Sequence, residues 1–123
     1  MRIYIAGPLT LGDRSTNVHR GIEAGIKMIK DGMVPFIPHL NDQFFTVDAE
    51  TEKWSTRDWL DKYDLPWLEV CDALYRLDGE SEGADLEVRY AEEHDIPIFY
   101  EDEYDDLVAL VRQEEDDEDY NVV

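Results

Sequence analysis

The sequence contains few of the residues from which disulfides and metal centres are built. It has one cysteine, Cys71, and three histidines that are scattered along the chain. A single cysteine excludes a disulfide within the chain, and so few histidines leave little from which to build a zinc site. We therefore expect no metal and no cofactor. The sparing use of cysteine fits a reducing compartment, so the sequence predicts a cytoplasmic location.

Long apolar runs and basic residues are also scarce. The apolar runs extend over only a few residues each, which is too short to span a membrane. The first run is broken at Gly7-Pro8, too early for a signal peptide. Lys and Arg number 11 against 31 Asp and Glu, and the net charge of −20 argues against binding nucleic acid through a basic surface. We therefore expect neither a membrane nor a nucleic acid as a partner.

The acidic residues are concentrated towards the C-terminus. Residues 101–123 carry 11 acidic residues and one basic residue, a net charge of −10, which is half of the charge of the whole chain. Like charges at this density repel one another and leave little apolar surface to bury. We predict one domain over residues 1–112, followed by an acidic and disordered tail over residues 113–123.

Short apolar runs alternate with amphipathic segments along the predicted domain. Four runs predict strands, at residues 2–6, 33–37, 73–77 and 96–100. Helical spacing predicts helices that begin at Thr16 or Asn17, begin at Ser55 or Thr56, cover residues 78–91, and cover residues 104–112. Residues 40–54 form a long polar and aromatic connection. Because apolar strands are separated by helices, the pattern favours an α/β fold whose parallel sheet is covered on both sides.

The carboxyl ends of the predicted strands carry polar, turn-forming residues. Gly7-Pro8 follows the first strand, Pro38-His39 follows the second, and residues 78–83 follow the third. In open parallel sheets, ligands bind beyond the carboxyl ends of the strands. We therefore expect these three loops to converge on one binding edge.

One carboxylate breaks the apolar face of the helix predicted at residues 78–91. Ala84, Val88 and Ala91 recur at helical spacing, and Glu87 lies on the same face. A glutamate in such a position either packs its stem and extends its carboxylate to water, or is held in the crevice at the strand ends as a nucleophile. The spacing alone leaves both interpretations open.

Other polar residues near the expected edge also have two interpretations. Ser81 suits a helix N-cap or an anion contact, and Gly83 lets the backbone approach closely in either case. Asp64 suits a helix cap or a binding role. Tyr4 suits the core or a contact to a catalytic carboxylate, and His39 suits a polar edge residue better than a catalytic base.

Three segments, taken in order, resemble the nucleoside 2-deoxyribosyltransferase-like superfamily: RIYIAGP (2–8), DLPWLEVCDAL (64–74) and DGESEGADLE (78–87). Within it, the chain is most similar to the 2′-deoxynucleoside 5′-phosphate N-hydrolase branch and to small relatives that open with YIAGP. The likeness extends over residues 2–100. It implies a flavodoxin-like or Rossmann-like three-layer sandwich with a mostly parallel sheet of four to five strands, and cleavage of an N-glycosidic bond.

The resemblance also implies roles for individual residues. Glu87 matches the catalytic glutamate that attacks C1′ of the sugar and forms a covalent glycosyl-enzyme. Tyr4 matches a first-strand tyrosine that orients this glutamate. Asp64 matches an aspartate that binds the substrate and protonates the leaving base. Ser81 matches a serine that contacts the 5′-phosphate in the nucleotide hydrolases, which favours a phosphorylated substrate.

Further substrate-binding residues are expected at the strand ends, namely Gly7, Pro8, Gly83 and His39. The loop PLTLGDRSTN (8–17) departs from the hydrolases, because it has one glycine where they have a glycine-rich phosphate loop. Arg14 and Asn17 are candidates to take over substrate binding there.

The expected function is hydrolysis of the N-glycosidic bond of a (deoxy)nucleoside 5′-monophosphate, with release of the free base. The alternatives are a deoxyribosyltransferase that exchanges bases, a nucleotide-binding module without catalysis, and an acidic protein that mimics nucleic acid. A small-molecule nucleotide or nucleoside is the expected partner. Members of the superfamily form dimers or larger assemblies, so we also expect a homo-oligomer with sites near the subunit interface.

Overall fold

The computed structural model describes the backbone of residues 1–122 and the side chains of residues 1–116. Its centre is a sheet of four strands, β1 (Arg2–Ala6), β2 (Val34–Phe36), β3 (Ala73–Arg76) and β4 (Ile98–Tyr100). They lie in the order β2-β1-β3-β4, and every neighbouring pair is parallel. This order matches the first four positions of a flavodoxin-like sheet, so the predicted α/β fold is confirmed.

Helices cover both faces of the sheet. On one face, side chains of β1 pack against two helices in a cluster that includes Ile3, Ile5, Met28, Leu107 and Val111. On the other face, the alternate side chains of β1 belong to a cluster that includes Tyr4, Ala6, Leu68, Ala84 and Ala91. Because successive side chains of a strand point to opposite faces, β1 contributes to both cores. The predicted three-layer sandwich is confirmed.

The first helix, α1 (Arg14–Lys30), begins earlier than the sequence predicts. Asp13 is its N-cap, and its carboxylate accepts a hydrogen bond from the backbone amide two residues later. The predicted start at Thr16 or Asn17 is therefore wrong. Asp13, Ser15, Thr16 and Asn17 are all residue types that cap helices, so the residue type alone does not identify the cap. Gly32 follows the helix with a φ of +87°, the conformation that favours glycine at a helix end.

Residues 38–53 form short helical segments, which the sequence shows only as a long polar and aromatic connection over residues 40–54. They comprise a 3₁₀ turn (Pro38–Asn41), α2 (Asp42–Val47) and a second 3₁₀ turn (Ala49–Lys53). Each segment is too short for its apolar spacing to show in the sequence. Aromatic contacts hold them in place: Phe44 stacks on Trp59 with 5.5 Å between ring centroids, and Trp54 lies 5.0 Å from the same ring.

The helical segment over residues 56–69 changes pitch in its middle. α3 (Thr56–Trp59) passes through a π-helical turn (Leu60–Asp64) into α4 (Leu65–Glu69). Pro66 lies just after this turn and has no N–H with which to continue the regular hydrogen-bond ladder, which explains the change. The turn ends at Asp64, whose side chain is buried.

The last two helices precede and follow β4. α5 (Glu82–Glu93) has Ser81 as its N-cap, whose hydroxyl oxygen accepts a hydrogen bond from the Ala84 amide at 3.1 Å. α6 (Tyr104–Val122) extends beyond residue 112, where the sequence predicts the helix to end. The side chains of residues 117–123 lie outside the described part, so the boundary at residue 112 and the disorder of residues 113–123 stay predictions. Within the described residues, no helix combines the length and the apolar composition needed to cross a membrane.

Candidate functional site

A cavity of about 1040 Å³ opens at the carboxyl ends of β1, β2 and β3. The three loops that follow these strands all reach its wall, through Gly7, His39 and residues 80–83. Its outer wall carries large aromatic side chains, namely Phe45, Trp54 and Trp59. A cavity of this volume is as large as typical sites for small molecules.

Glu87 lines this cavity from α5 and is 6% exposed. The Tyr4 hydroxyl of β1 donates a hydrogen bond to its Oε2 atom. For each residue this is one of the two interpretations that the sequence left open, since β1 alternation points Tyr4 to the face of α5 and Glu87 lies on the same helix face as the buried Ala84. The buried carboxylate is therefore an inward-pointing residue held by a partner, and it does not extend to water.

Burial changes the protonation behaviour of this pair. The pKa of Glu87 is raised to about 8, mainly because burial disfavours the charged form. The Tyr4 hydrogen bond and the Arg76 guanidinium lower this pKa, whereas the Asp64 carboxylate raises it. Burial also raises the pKa of Tyr4 well above its ordinary value, so Tyr4 stays protonated and remains a donor. A buried carboxyl that titrates near neutral pH is typical of catalytic groups.

Asp64 is a second buried carboxyl on the cavity wall, at 7% exposure. Asn41, at the end of the turn after β2, donates a hydrogen bond from Nδ2 to Asp64 Oδ1 at 2.9 Å. The pKa of Asp64 is raised to about 6, because burial raises it more than the Asn41 hydrogen bond lowers it. The structure thus brings all three predicted catalytic residues, Tyr4, Asp64 and Glu87, to one region.

Sequence reasoning misses Asn41. One asparagine in a polar stretch carries no signal by itself, and its partner Asp64 lies 23 positions away in the chain. The pairing depends on the 3₁₀ turn after β2 and on the π turn that ends at Asp64, and neither turn is predictable from apolar spacing.

Two buried carboxyls with different environments are suited to acid–base and nucleophilic chemistry. Glu87 is fixed by a hydroxyl donor and Asp64 by an amide donor, so each presents a defined free oxygen. Where the environments of two titratable groups separate their pKa values, one serves as the acid while the other serves as the base or nucleophile. The arrangement can therefore attack an electrophilic carbon and protonate a leaving group in one cavity.

The predicted glycine and serine positions shape the wall around this pair. Ser81 and Gly83 line the cavity at the start of α5, and the Ser81 hydroxyl oxygen is used as the helix N-cap. Gly7 also lines it, and a Cβ atom there would lie 2.9 Å from Leu77 Cβ, so glycine permits the close approach of β1 and β3. Pro8 is buried and packs close to Gly79.

Arg14 and Asn17, the two candidates in the loop after β1, have different positions. Arg14 lines the cavity and is paired with Asp42, with Nε 2.7 Å from Oδ2. Asn17 is buried and donates from Nδ2 to the carbonyls of Leu9 and Leu11, at 3.1 and 2.7 Å. Its amide therefore fixes the loop conformation and is not free to bind a ligand through those donors.

Two further arginines stabilise loops at the same edge. Arg20 donates to the Asp78 carbonyl and to Glu101, both at 3.0 Å. Arg76 is buried and donates to the Gly79 carbonyl at 2.9 Å. These hydrogen bonds fix the loop after β3, and they occupy guanidinium N–H donors with partners inside the protein.

His39 is the remaining predicted binding residue, and it borders the cavity as a buried side chain. Burial lowers the pKa of His39, so the ring is neutral at neutral pH. Among the residues that the structure describes, no group of three or more His, Cys, Asp or Glu side chains is arranged to hold a metal ion.

Two comparisons with known proteins give matches, one to a family model by sequence and one to a solved structure by fold. A family model described as a domain of unknown function (DUF7768) matches residues 1–101. The solved structure of a 2-deoxyribosyltransferase from the psychrotolerant bacterium Bacillus psychrosaccharolyticus is similar, with a TM-score of 0.62 and 20% sequence identity. The similarity covers 81% of this chain and 71% of the other, and it shows a shared fold. No curated protein matches the chain in sequence.

Proposed function

The chain belongs to the family defined by the domain of unknown function DUF7768, and we propose that it cleaves the N-glycosidic bond of an unphosphorylated 2′-deoxynucleoside. The observation that carries this proposal is the hydrogen bond between buried Tyr4 and Glu87 in a cavity whose second buried carboxyl is Asp64. The activity of the structural neighbour, a 2-deoxyribosyltransferase, supports the same class of reaction.

In the first step, ionised Glu87 forms a bond to C1′ of the sugar while the bond between C1′ and the base nitrogen breaks. Tyr4 holds Oε2, which leaves Oε1 as the attacking atom and restricts its direction. The electron pair of the broken bond goes to the base nitrogen, and protonated Asp64 supplies the proton that neutralises the base. Because the pKa of Glu87 is higher than that of Asp64, this reactive form, with Glu87 ionised and Asp64 protonated, is the less populated of the two singly protonated forms of the pair. The products are a glycosyl ester on Glu87 and a free base.

In the second step, an acceptor takes the sugar from Glu87 on the face that the first base left, so the configuration at C1′ is retained. Asp64, now ionised, accepts the proton of the incoming acceptor. A second base as acceptor makes the reaction a transfer, and water makes it a hydrolysis. The aromatic side chains of the outer wall are suited to stack a second base, which favours transfer.

The charges around the cavity favour a substrate without a phosphate. The N-terminus of α1, where an anion would otherwise bind, already has the Asp13 carboxylate as its cap. Arg14 is paired with Asp42, and further carboxylates of Glu52, Glu80 and Glu82 lie on the wall. These charges repel a phosphate dianion. We therefore replace the 5′-monophosphate expected from the sequence with a free nucleoside.

A panel of 2′-deoxynucleosides, with and without a second free base, tests the proposal by chromatography. We expect at least one nucleoside to release its base, and a new nucleoside to form when the second base is present. The matching 5′-monophosphates should react more slowly. If no compound releases its base at high protein concentration, the catalytic proposal is wrong, and a binding module remains.

The variant Glu87→Gln separates catalysis from binding. It keeps the shape of the side chain and removes the nucleophile, so base release should fall below about one thousandth of the wild-type rate while nucleoside binding persists. Glu92→Gln makes the same change at an exposed position of α5 and should keep the wild-type rate. Mass spectrometry of the wild-type protein under turnover should find one deoxyribosyl group on the peptide that contains Glu87.

A further inference from the structure

Asn41 lies on the cavity wall, at the end of the 3₁₀ turn after β2. Its Nδ2 atom donates a hydrogen bond to Asp64 Oδ1 at 2.9 Å, and both side chains are buried. Within the described part of the chain, the second oxygen of Asp64, Oδ2, has no hydrogen-bond partner, and it is not among the fully buried atoms that lack one. The contact therefore distinguishes the two oxygens of one carboxyl, because Oδ1 is occupied and Oδ2 is left for a ligand.

The turn that carries Asn41 is anchored on both sides of this residue. Two residues earlier, His39 is buried against Gly21 of α1, where a Cβ atom would lie 2.7 Å from His39 Cγ. One residue later, Asp42 is paired with Arg14 at the start of α1, with Nε 2.7 Å from Oδ2. Because both neighbours are tied to the same helix, the Asn41 amide is held in place.

Asp64 is the last residue of the π turn, and two titratable groups face it from other elements. These are Glu87 of α5 and Tyr4 of β1, since the Asp64 charge raises the pKa of both. The pKa of Asp64 itself is raised to about 6 by burial and is lowered by the Asn41 hydrogen bond. Of these described neighbours, Asn41 is thus the one that makes Asp64 easier to ionise.

We propose that Asn41 is a positioning residue that fixes Asp64 for both proton transfers, an inference that rests on the proposed function of the site. In the first step, the proton moves from Oδ2 to the base nitrogen while the bond between C1′ and that nitrogen breaks. In the second step, the acceptor forms its bond to C1′, the bond between C1′ and Glu87 breaks, and the proton of the acceptor moves to Oδ2. The Asn41 hydrogen bond stays on Oδ1 throughout, so one oxygen gives and takes the proton from one direction.

The same hydrogen bond has opposite effects on the two steps. It favours ionised Asp64, which makes the protonated acid of the first step rarer. In the glycosyl-enzyme, Glu87 is an uncharged ester, so Asp64 is the remaining free carboxyl of the pair and must be ionised to accept a proton. Loss of the donor should therefore slow the second step most at acidic pH, where fewer molecules hold an ionised Asp64.

Asn41→Leu tests the inference, because it removes the donor and keeps a side chain of similar size. The glycosyl-enzyme is formed from a 2′-deoxynucleoside and mixed with adenine as the acceptor. Rapid quenching and mass spectrometry of the intact protein then follow its decay between pH 5 and 8. The variant should react more slowly than the wild type at every pH, because Oδ2 loses its fixed direction. The loss should be about tenfold larger at pH 5 than at pH 8, as expected when a hydrogen bond to a charged group is removed.

The matched control is Gln43→Leu, which removes an exposed amide two residues along the chain and should match the wild type at every pH. A loss in Asn41→Leu that is the same at pH 5 and pH 8 means that Asn41 supports the fold only, and it overturns the inference. The absence of any loss overturns it as well. A failure of the proposed function has a different signature, because the wild type would then form no glycosyl-enzyme and release no base.

NMR of the wild-type protein decides the matter if Asn41→Leu does not fold. The side-chain amide resonance of Asn41 should move as Asp64 ionises near pH 6, because a hydrogen bond to a charged oxygen is stronger than one to a neutral oxygen. Asn17 is the matched control, since its Nδ2 donates to the carbonyls of Leu9 and Leu11 and should show no such step. An Asn41 resonance that stays constant between pH 5 and 7 overturns the inference, whether or not the protein releases a base.

Discussion

The Tyr4 hydroxyl donates a hydrogen bond to Glu87 Oε2 across 83 positions of the chain. Both side chains are buried, and the bond joins the central strand β1 to helix α5. A hydroxyl donor favours the ionised form of a carboxyl, which opposes part of the effect of burial on Glu87. Tyr4 therefore both orients the proposed nucleophile and makes its ionisation easier.

Tyr4→Phe should slow base release about 10- to 100-fold, the range expected when one hydrogen bond to a charged group is lost. Without the donor, the pKa of Glu87 should rise further, and a smaller fraction should be ionised at neutral pH. Steady-state kinetics across pH should therefore show the activity displaced to higher pH. Tyr90→Phe is the matched control, because the Tyr90 hydroxyl contacts Glu69 at the surface of α5. Equal rates for the wild type and Tyr4→Phe would leave Tyr4 as a core residue only.

The rate should depend on pH as a bell-shaped curve. The pKa of Asp64 is raised to about 6 and that of Glu87 to about 8, both mainly by burial. Interacting carboxyls release their protons in two steps that belong to the pair, and one proton remains on the pair between these values. The reaction uses the singly protonated pair in its less populated form, with Glu87 ionised and Asp64 protonated, and the amount of this form is greatest midway between the two pKa values, so kcat/KM should be highest near pH 7.

Asp64→Asn tests whether deprotonation of Asp64 causes the fall in activity at high pH. The variant has one titrating carboxyl, so its residual activity should rise with pH through the ionisation of Glu87 and should not decline again. Loss of the general acid should lower the rate by about 10²- to 10⁴-fold. A decline near pH 8 that persists in Asp64→Asn would contradict the proposed role of Asp64.

Stability should also depend on the protonation of Glu87. Its pKa in the folded protein is raised to about 8 from an ordinary value of 4.5, so the folded state holds a proton that the unfolded state releases. The resulting stabilisation is complete below about pH 4.5 and is lost as the pH rises towards 8. Urea unfolding between pH 5 and 8 should show the wild type losing stability relative to Glu87→Gln. Glu92→Gln, an exposed change on the same helix, should follow the wild type.

The features that the sequence predicts correctly are those with local or periodic signals. Apolar runs separated by amphipathic segments predict the parallel sheet, and spacing around Ala84 places Glu87 on the inner face of α5. One of the two interpretations of Tyr4 from the sequence is a contact to that carboxylate, and the structure contains this hydrogen bond. These placements are predictable because they depend on the spacing of residues within a single helix or strand, which the sequence shows directly.

The features that are not predictable depend on contacts between short, irregular segments. Asn41 reaches Asp64 only because a 3₁₀ turn and a π turn meet, and neither has a periodic signal. The sequence suggests Asn17 as a substrate-binding residue, but its side-chain amide donates hydrogen bonds to two backbone carbonyls of its own loop. The charge environment of Arg14 likewise depends on Asp42, which lies 28 positions away.

Asp42→Asn should alter the discrimination between nucleosides and nucleotides. Asp42 neutralises Arg14 at the cavity wall through a hydrogen bond of 2.7 Å between Arg14 Nε and Asp42 Oδ2. Removing this negative charge leaves the guanidinium free to attract a phosphate. The ratio of kcat/KM for a 2′-deoxynucleoside to that for its 5′-monophosphate should exceed one in the wild type. It should fall about tenfold in the variant, which corresponds to roughly 1.4 kcal/mol.

The matched control is Asp106→Asn, which removes the same charge from an exposed position of α6 and should leave the ratio unchanged. Added salt should weaken the gain of Asp42→Asn towards the monophosphate, because ions screen the attraction between exposed charges. A wild-type protein that prefers the monophosphate would contradict the charge argument, since Asp13 and Asp42 would then fail to exclude an anion from this edge. Such a result would return Ser81 and Arg14 to the phosphate-binding roles expected from the sequence.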